Sequence, residues 1–203
     1  MLNRYTRHFF SRLFTPLAKM LLRAGISPDA VTIVGTLGVV AGALIFYPMG
    51  QLWWGSVFIT LFVFADLVDG LMARLTSRSS AWGNFLDSTL DRISDGAVFA
   101  GVAIWFYTGG ANPSIGTAAV ACLVLGMLVS YVRAKAESLG LDANVGIAER
   151  AERLVAVLVA TGFTGLGLPT VFLLVVLLAL AAASLITVCQ RVATVYRQSR
   201  VRT

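Results

Sequence analysis

Four aspartates lie in a short segment between two long apolar runs, and their spacing can bring them together. Asp66 and Asp69 are three residues apart, so they share one face of a helix. Asp87 and Asp91 are four apart on a second helix, and the turn-rich connection between the pairs lets the helices run antiparallel. Carboxylates that converge beside a bilayer repel each other unless a cation holds them, and hard oxygen ligands favour Mg²⁺ or Mn²⁺. The segment therefore predicts a divalent-metal site, with capping and surface aspartates as the alternative.

The aspartates belong to a longer pattern, D-x2-D-G-x2-A-R-x8-G-x3-D-x3-D. The chain matches it without a departure, through Asp66, Asp69, Gly70, Ala73, Arg74, Gly83, Asp87 and Asp91. This pattern resembles the signature of the CDP-alcohol phosphotransferases, which are integral membrane enzymes of phospholipid synthesis. The resemblance extends along nearly the whole chain, so we expect an enzyme of this family.

The resemblance implies a reaction in which an alcohol attacks the lipid-bearing phosphate of CDP-diacylglycerol and CMP leaves. Such a transfer needs an electrophilic phosphorus, a stabilised leaving group and an oriented nucleophile. Two metal ions (Mg²⁺, with Mn²⁺ possible) bridged by carboxylates would supply the first two. We expect the ligands to be Asp66, Asp69, Asp87 and, more weakly, Asp91. By resemblance Asp91 is also the candidate general base, and the spacing alone does not separate these two roles.

Two further groups of residues are candidates for binding CDP-diacylglycerol. Ser27 and Pro28 predict the start of the first span, where unpaired backbone N–H groups favour an anion. By resemblance, the residues beside the CDP group are Asp29, Ala30, Val31 and Thr32. Small residues and a cation around the motif would admit a pyrimidine or pyrophosphate; these are Gly70, Ala73, Arg74, Gly83 and, in the connecting loop, Ser80. Simple close packing of membrane helices is the alternative for the glycines.

The composition indicates a membrane protein. The chain has 203 residues, of which 58% are hydrophobic and 13% are charged, whereas a soluble domain carries about 25% charged residues. Residues 27–203 predict an all-α integral membrane domain with six transmembrane helices, and this excludes an ordinary soluble enzyme. Residues 1–26 predict a cytoplasmic interfacial amphipathic helix, because apolar residues recur at helical spacing among basic ones. We expect membrane lipids as partners and no nucleic acid.

The positions of the basic residues predict the orientation. Five of the sixteen Lys and Arg precede the first span, three lie near the second-to-third loop, four near the fourth-to-fifth loop, and four follow the sixth span. The other three loops hold none. The positive-inside rule then places both termini in the cytoplasm of a multi-pass protein of the cell membrane. All ten acidic residues fall on the same side, so we expect a cytoplasmic active site.

A second group of basic residues bears on the acceptor alcohol. The residues that end the fourth span, open the fifth and follow the sixth are Arg133, Lys135, Arg153 and Arg191. Each can be an ordinary snorkelling or positive-inside charge. Together they predict a pocket for a phosphorylated, dianionic acceptor, bound by charge-assisted hydrogen bonds.

The segments SYVRAKAESLG, GIAERAERL and ITVCQRVATV resemble one branch of the family, the actinobacterial phosphatidylinositol phosphate synthases. This resemblance implies that the acceptor is inositol phosphate and that the protein is a homodimer. Ala151 departs from the proline expected in that branch. Two alternatives stay open. One is synthesis of phosphatidylglycerol phosphate from glycerol 3-phosphate, and the other is a divalent-cation transporter, whose carboxylates would lie near the bilayer midplane.

Overall fold

The computed structural model describes residues 14–76, 80–147 and 149–201, and the side chains of residues 66, 67 and 201 lie outside this description. The residues described form helices and no strand. In chain order the helices are α1 (residues 14–23), α2 (Pro28–Ala41), α3 (Leu52–Leu75), α4 (Ala81–Tyr107), α5 (Pro113–Ser138), α6 (Arg150–Gly165) and α7 (Thr170–Val201). A π-helical segment, Gly42–Phe46, continues α2. The all-helical prediction is confirmed for the part of the chain that the structure describes.

The predicted start of α2 is confirmed in atomic detail. The Ser27 hydroxyl accepts a hydrogen bond of 3.2 Å from the backbone N–H of Ala30, and Pro28 occupies the first helical position. This cap satisfies one of the N–H groups that the first turn leaves without an intrahelical partner. Gly25, between α1 and α2, has a φ of 78°, which glycine adopts without steric cost.

Four helical segments of the described chain are long and apolar enough to cross a membrane. They are Pro28–Phe46, Leu52–Leu75, Pro113–Ser138 and Thr170–Arg200. α4 carries four charged residues between Ala81 and Asp95, and α6 has only 16 residues, fewer than the ~20 that a straight span requires. The structure therefore supports a protein with several membrane helices and does not establish the predicted count of six. The predicted N-terminal amphipathic helix is described only from residue 14 onward.

The described residues fall into two compact units. The first comprises Val57–Ser94 and the described part of Met1–Gly42, and the second comprises Ala43–Ser56 and the described part of Asp95–Thr203. The motif aspartates belong to the first unit. The four predicted acceptor-binding residues belong to the second unit.

In the first unit, α1 packs against the half of α3 that carries the motif. Ala18 of α1 is fully buried in a cluster with α3 residues, namely Val68, Leu71 and Met72. Partly buried apolar residues extend this cluster; they are Phe14, Leu21, Leu22 and Val31. The burial of Val68 and Leu71 fixes the face of α3 on either side of Asp69 and Gly70.

Glycines let α2 approach α3 closely. A Cβ on Gly35 would lie 3.0 Å from the Ala65 methyl group, and one on Gly38 would overlap the Phe62 ring. Gly42, at the end of the same helical face, would place a Cβ 2.8 Å from Ile59. This is the packing of small residues that membrane helices use where their backbones meet.

In the second unit, α5 and α6 pack against α7, and the π-helical segment packs on α4. A Cβ on Gly101 of α4 would overlap the backbone carbonyl oxygen of Ala43. Next to this contact the buried Tyr47 hydroxyl shares a hydrogen bond of 2.9 Å with the Ser56 hydroxyl. Burial raises the pKa of the Tyr47 phenol, so the group is a neutral structural one at physiological pH.

The contact between Gly101 and Ala43 makes a prediction about stability. Gly101→Ala should lower the free energy of unfolding by about 1–3 kcal/mol, because the new methyl group meets backbone rather than a movable side chain. The matched control is Gly70→Ala, since a Cβ on Gly70 would meet no atom of the described residues within 4 Å. Thermal unfolding of both variants in one detergent measures the difference, and equal midpoints would contradict the close contact.

Candidate functional site

The motif places acidic groups on α3 and α4 of the first unit, in different environments. Asp69 of α3 is 5% exposed, and a carboxylate at that depth needs compensation by charge or hydrogen bonds. On α4, Asp87 is exposed and the Asp91 side chain is 16% exposed, with its Oδ2 3.5 Å from a terminal nitrogen of Arg92. The fourth predicted ligand, Asp66, has a helical backbone and a side chain outside the described part of the chain.

The described side chains do not by themselves assemble a metal centre. Among them, no three Asp, Glu, His or Cys groups lie in an arrangement that could hold a metal ion. The side chain of Asp66, which is one of the four predicted ligands, does not belong to the described set. The donor chemistry fits a hard divalent cation, because carboxylate oxygens are the preferred ligands of Mg²⁺ and Mn²⁺.

Gly70, which follows the buried Asp69, faces open space. Among the described residues, a Cβ at this position would meet nothing within 4 Å, in contrast to Gly35, Gly38 and Gly42, which pack against side chains. Packing against the described part of the chain therefore does not explain a glycine at position 70. The open face beside a buried carboxylate is the kind of space that a ligand group can enter.

Three of the predicted nucleotide-binding residues come together near the start of α4. The Ser80 hydroxyl accepts a hydrogen bond of 2.9 Å from the backbone N–H of Gly83 and so caps the helix. A Cβ on Gly83 would lie 3.3 Å from that hydroxyl oxygen and 3.9 Å from Oδ1 of Asp29. The absence of a side chain at Gly83 thus lets the first turns of α2 and α4 approach each other.

The other nucleotide candidates have varied surroundings. Val31 packs on the apolar cluster of α1 and α3, and the Thr32 hydroxyl donates a hydrogen bond of 3.1 Å to the Pro28 carbonyl. Ala30 supplies the N–H that Ser27 caps. On α3, Ala73 is partly buried and Arg74 is exposed at the end of the helix.

In the second unit, a partly buried carboxylate of α4, that of Asp95, pairs with two arginines of α6. Asp95 Oδ1 accepts a hydrogen bond of 3.2 Å from Nε of Arg150, and Oδ2 lies 3.7 Å from a terminal nitrogen of Arg153. The Arg153 side chain is 2% exposed and that of Asp95 is 13% exposed. Gly126 of α5 makes room for the Arg153 guanidinium, since a Cβ there would lie 3.5 Å from its Nε. An ion pair at this depth is costly to break, because one charge would stay buried without its partner.

Arg191 of α7 is held by backbone carbonyl groups. Its Nε donates to the carbonyl of Val145 at 2.9 Å, and one terminal nitrogen donates to the carbonyl of Val129 at 2.7 Å. The residue is 6% exposed and lies within electrostatic range of Arg133, Glu137 and Glu149. Arg191 and Arg133 therefore lie close enough for their charges to interact.

The two remaining acceptor candidates are solvent-exposed. Arg133 donates a hydrogen bond of 2.8 Å to Glu137 one turn later on α5, and both side chains are about half exposed. Lys135 is exposed on the same helix. Of the four predicted acceptor-binding residues, two are thus buried cations and two lie at the surface.

Sequence reasoning missed the role of Asp95 and Arg150. Asp95 follows Asp91 by four residues on α4, just as Asp91 follows Asp87. This spacing was a signal that Asp95 lies on the same helical face, but it does not identify partners on α6. Glu152 was missed as well; its carboxylate accepts a hydrogen bond of 3.2 Å from the Glu149 N–H and caps α6.

Comparisons with known proteins agree on one family. A family model described as CDP-alcohol phosphatidyltransferase matches residues 25–196. The phosphatidylinositol phosphate synthase of Streptomyces avermitilis is 55% identical, over 98% of this chain and 84% of that protein.

Two crystal structures of Mycobacterium tuberculosis phosphatidylinositol phosphate synthase are similar to this structure at 43% identity. The one with CDP-DAG bound has a TM-score of 0.87 and covers 91% of this chain and 94% of that chain. The one in complex with manganese and citrate has a TM-score of 0.86, with coverages of 90% and 88%. With the family model matching most of its length, the chain belongs to the CDP-alcohol phosphatidyltransferase family, as its eight-residue motif predicted.

Proposed function

We propose that this enzyme is a phosphatidylinositol phosphate synthase. It transfers the phosphatidyl group of CDP-diacylglycerol to a hydroxyl of inositol phosphate and releases CMP. The observation that carries the acceptor assignment is the burial of two cations, Arg153 and Arg191, in the second unit. Buried guanidinium groups suit a phosphorylated acceptor, which a neutral alcohol such as free inositol would not require. The name shared by the relatives, at identities of 43–55%, supports the same assignment.

The first unit binds the donor and its metal ions in this proposal. Asp66, Asp69, Asp87 and Asp91 would hold two Mg²⁺ ions, or Mn²⁺, which neutralise phosphate charge and stabilise the departing CMP. The manganese complex of the M. tuberculosis enzyme supports a divalent metal in this family. Gly70, with its open face, gives the pyrophosphate or base access to the α3 backbone next to Asp69. Around the start of α4, Asp29, Ser80 and Gly83 form the second part of the donor site.

Asp91 is assigned the proton transfer. Its carboxylate is partly exposed, at 16%, so it can reach an incoming hydroxyl, whereas the deeper Asp69 is suited to a purely ligating role. Asp91 would accept the proton from the acceptor hydroxyl as that oxygen attacks the phosphorus. The neighbouring Arg92 has a terminal nitrogen 3.5 Å from Oδ2 of this carboxylate.

The second unit binds the acceptor phosphate. We assign this role to Arg133, Lys135, Arg153 and Arg191. Asp95 orients Arg153 through their ion pair, and the Val145 and Val129 carbonyls orient Arg191. A guanidinium has five N–H donors, so these contacts leave donors of Arg191 for a phosphate oxygen.

Glycerol 3-phosphate is the second candidate acceptor, because it also carries a phosphate dianion. The mass of the lipid product distinguishes the two. A cation transporter is disfavoured by membership of the family.

For the membrane arrangement we propose six spans, with α4 and α6 added to the four long apolar segments, both termini in the cytoplasm of the cell, and a homodimer. Burial of the charged residues of α4 against other helices would allow that helix to span the membrane.

Replacement of the proposed base should separate catalysis from binding. Asp91→Asn should lower CMP release by at least about 100-fold, since general base catalysis contributes that much or more. Binding of CDP-diacylglycerol should persist, because asparagine keeps the shape and one oxygen. Steady-state CMP release and equilibrium binding of the donor measure the two effects. Activity near that of the unaltered enzyme would remove Asp91 as the base.

Removal of the Asp95 charge should weaken acceptor binding selectively. Asp95→Asn should raise the KM for inositol phosphate about tenfold or more, because the ion pair that orients Arg153 is lost. The KM for CDP-diacylglycerol should change little. Glu137→Gln is the matched control: it breaks an exposed pair with Arg133, and its effect should stay below about threefold. Equal increases in both KM values for Asp95→Asn would contradict the acceptor assignment.

A further inference from the structure

The connection between α5 and α6, residues 139–149, is fastened to one face of α7. Residue 148 of this connection lies outside the described part of the chain. Three α7 residues form hydrogen bonds with its backbone, namely Thr187, Arg191 and Gln198, and we refer to these three as the α7 clamp. They are separated by four and seven residues, spacings that keep them on one helical face.

Each clamp residue contacts the backbone of the connection. The Thr187 hydroxyl accepts a hydrogen bond of 3.2 Å from the Ile147 N–H, and Arg191 Nε donates to the Val145 carbonyl. Gln198 pairs with both backbone groups of Asp142: its Oε1 accepts from the N–H at 3.0 Å, and its Nε2 donates to the carbonyl. A loop without regular structure has to satisfy its backbone groups elsewhere, and here side chains of α7 do so.

The fit around these hydrogen bonds is close. Gly146 has a φ of 142°, and a Cβ there would overlap the Thr187 methyl group. Leu141 and Ala143 are buried with Ala136 of α5, and Val195 of α7 packs on them. The connection is therefore held in one register against α7 by both polar and apolar contacts.

The clamp bears on the acceptor site because of what the connection joins. It links the end of α5, with Arg133 and Lys135, to the start of α6, with Arg153. Arg191 is itself the middle residue of the clamp, and its guanidinium orientation depends on the Val145 carbonyl of the connection. A shift of the connection would therefore change the orientation of Arg191 and the spacing of the two helix ends.

We propose that Thr187 and Gln198 are positioning residues for acceptor recognition. They contact no substrate; they hold the connection so that Val145 orients Arg191 toward the acceptor phosphate. This proposal rests on the proposed function, because it assigns the clamp to the phosphorylated acceptor rather than to the donor. Its distinctive consequence is a change in the KM of the acceptor without a matching change in the KM of CDP-diacylglycerol.

The test uses the full-length purified enzyme with Thr187→Val and Gln198→Ala. Thr187→Val keeps the side-chain shape and removes the hydroxyl, and Gln198→Ala removes both contacts with Asp142. Thr187→Ser restores a hydroxyl and should rescue the first variant. The matched control is Gln190→Ala, which removes the same type of side chain from an exposed position of α7.

Two readouts are measured for each variant. Hydrogen–deuterium exchange of residues 139–149 should be faster in Thr187→Val and Gln198→Ala, because the Ile147 and Asp142 N–H groups lose their acceptors. The KM for inositol phosphate should rise about fivefold in both variants, the expected loss for one or two hydrogen bonds. The KM for CDP-diacylglycerol should stay near the value of the unaltered enzyme in every variant. In the Gln190→Ala control and the Thr187→Ser rescue, the KM for inositol phosphate should also stay near the value of the unaltered enzyme.

Faster exchange with an unchanged acceptor KM would overturn the proposal and make the clamp a purely structural device. Unchanged exchange would overturn it too, since the contacts would then not hold the connection. If the unaltered enzyme uses glycerol 3-phosphate instead, the proposed function fails. The same KM comparison, made with glycerol 3-phosphate, then shows whether the α7 clamp affects acceptor binding. An unaltered enzyme that uses neither phosphorylated acceptor would refute both, and the exchange data would still report on the contacts.

Discussion

A charged side chain among apolar helices needs an opposite charge or several strong dipoles, and the arrangement of this protein depends on how that need is met. Asp69, Arg153 and Arg191 are all at most 6% exposed. Each lies on a helix that is otherwise largely apolar. Leaving such a charge without compensation costs several kcal/mol. The groups that compensate each buried charge therefore bear on the role of that residue.

The two arginines are compensated in different ways. Arg153 faces a full negative charge, Asp95, which it shares with Arg150. Arg191 has backbone carbonyl groups within hydrogen-bonding distance, and these orient its guanidinium without neutralising it. A cation held by neutral groups keeps its net charge, and this makes Arg191 the stronger candidate for attracting a phosphate dianion. One of these carbonyl groups, that of Val145, belongs to a loop rather than to a helix. The α7 clamp matters in this account because it holds that loop.

Much of the local structure followed from the sequence. The Ser27-Pro28 pair predicted the cap of α2, and the eight-residue motif predicted the family, because both depend on residues close together in the chain. Four segments of the described chain qualify as spans. The predicted total of six is not established, because α4 has charged residues where a simple span is apolar, and α6 is short.

Contacts between distant segments were beyond prediction from spacing. The i, i+4 relation of Asp91 and Asp95 was visible, but Asp95 pairs with Arg150 and Arg153 of α6, which the whole of α5 separates from α4 in the sequence. The sequence alone also did not show which glycines pack against a neighbouring helix and which do not. Gly38 and Gly70 look alike in an apolar helix, yet one packs against Phe62 and the other faces open space. The role of Ser80 was likewise ambiguous, since a helix cap and a phosphate ligand use the same hydroxyl.

The most direct measurement is CMP release by the purified enzyme, with Mg²⁺ and CDP-diacylglycerol, in the presence of either inositol phosphate or free inositol. The two acceptors differ only in the phosphate group that the buried arginines are assigned to bind. We expect release with inositol phosphate and at most a few per cent of that rate with inositol, because the dianion supplies the charge-assisted hydrogen bonds. Equal rates with the two acceptors would contradict the central claim that Arg153 and Arg191 select a phosphorylated acceptor.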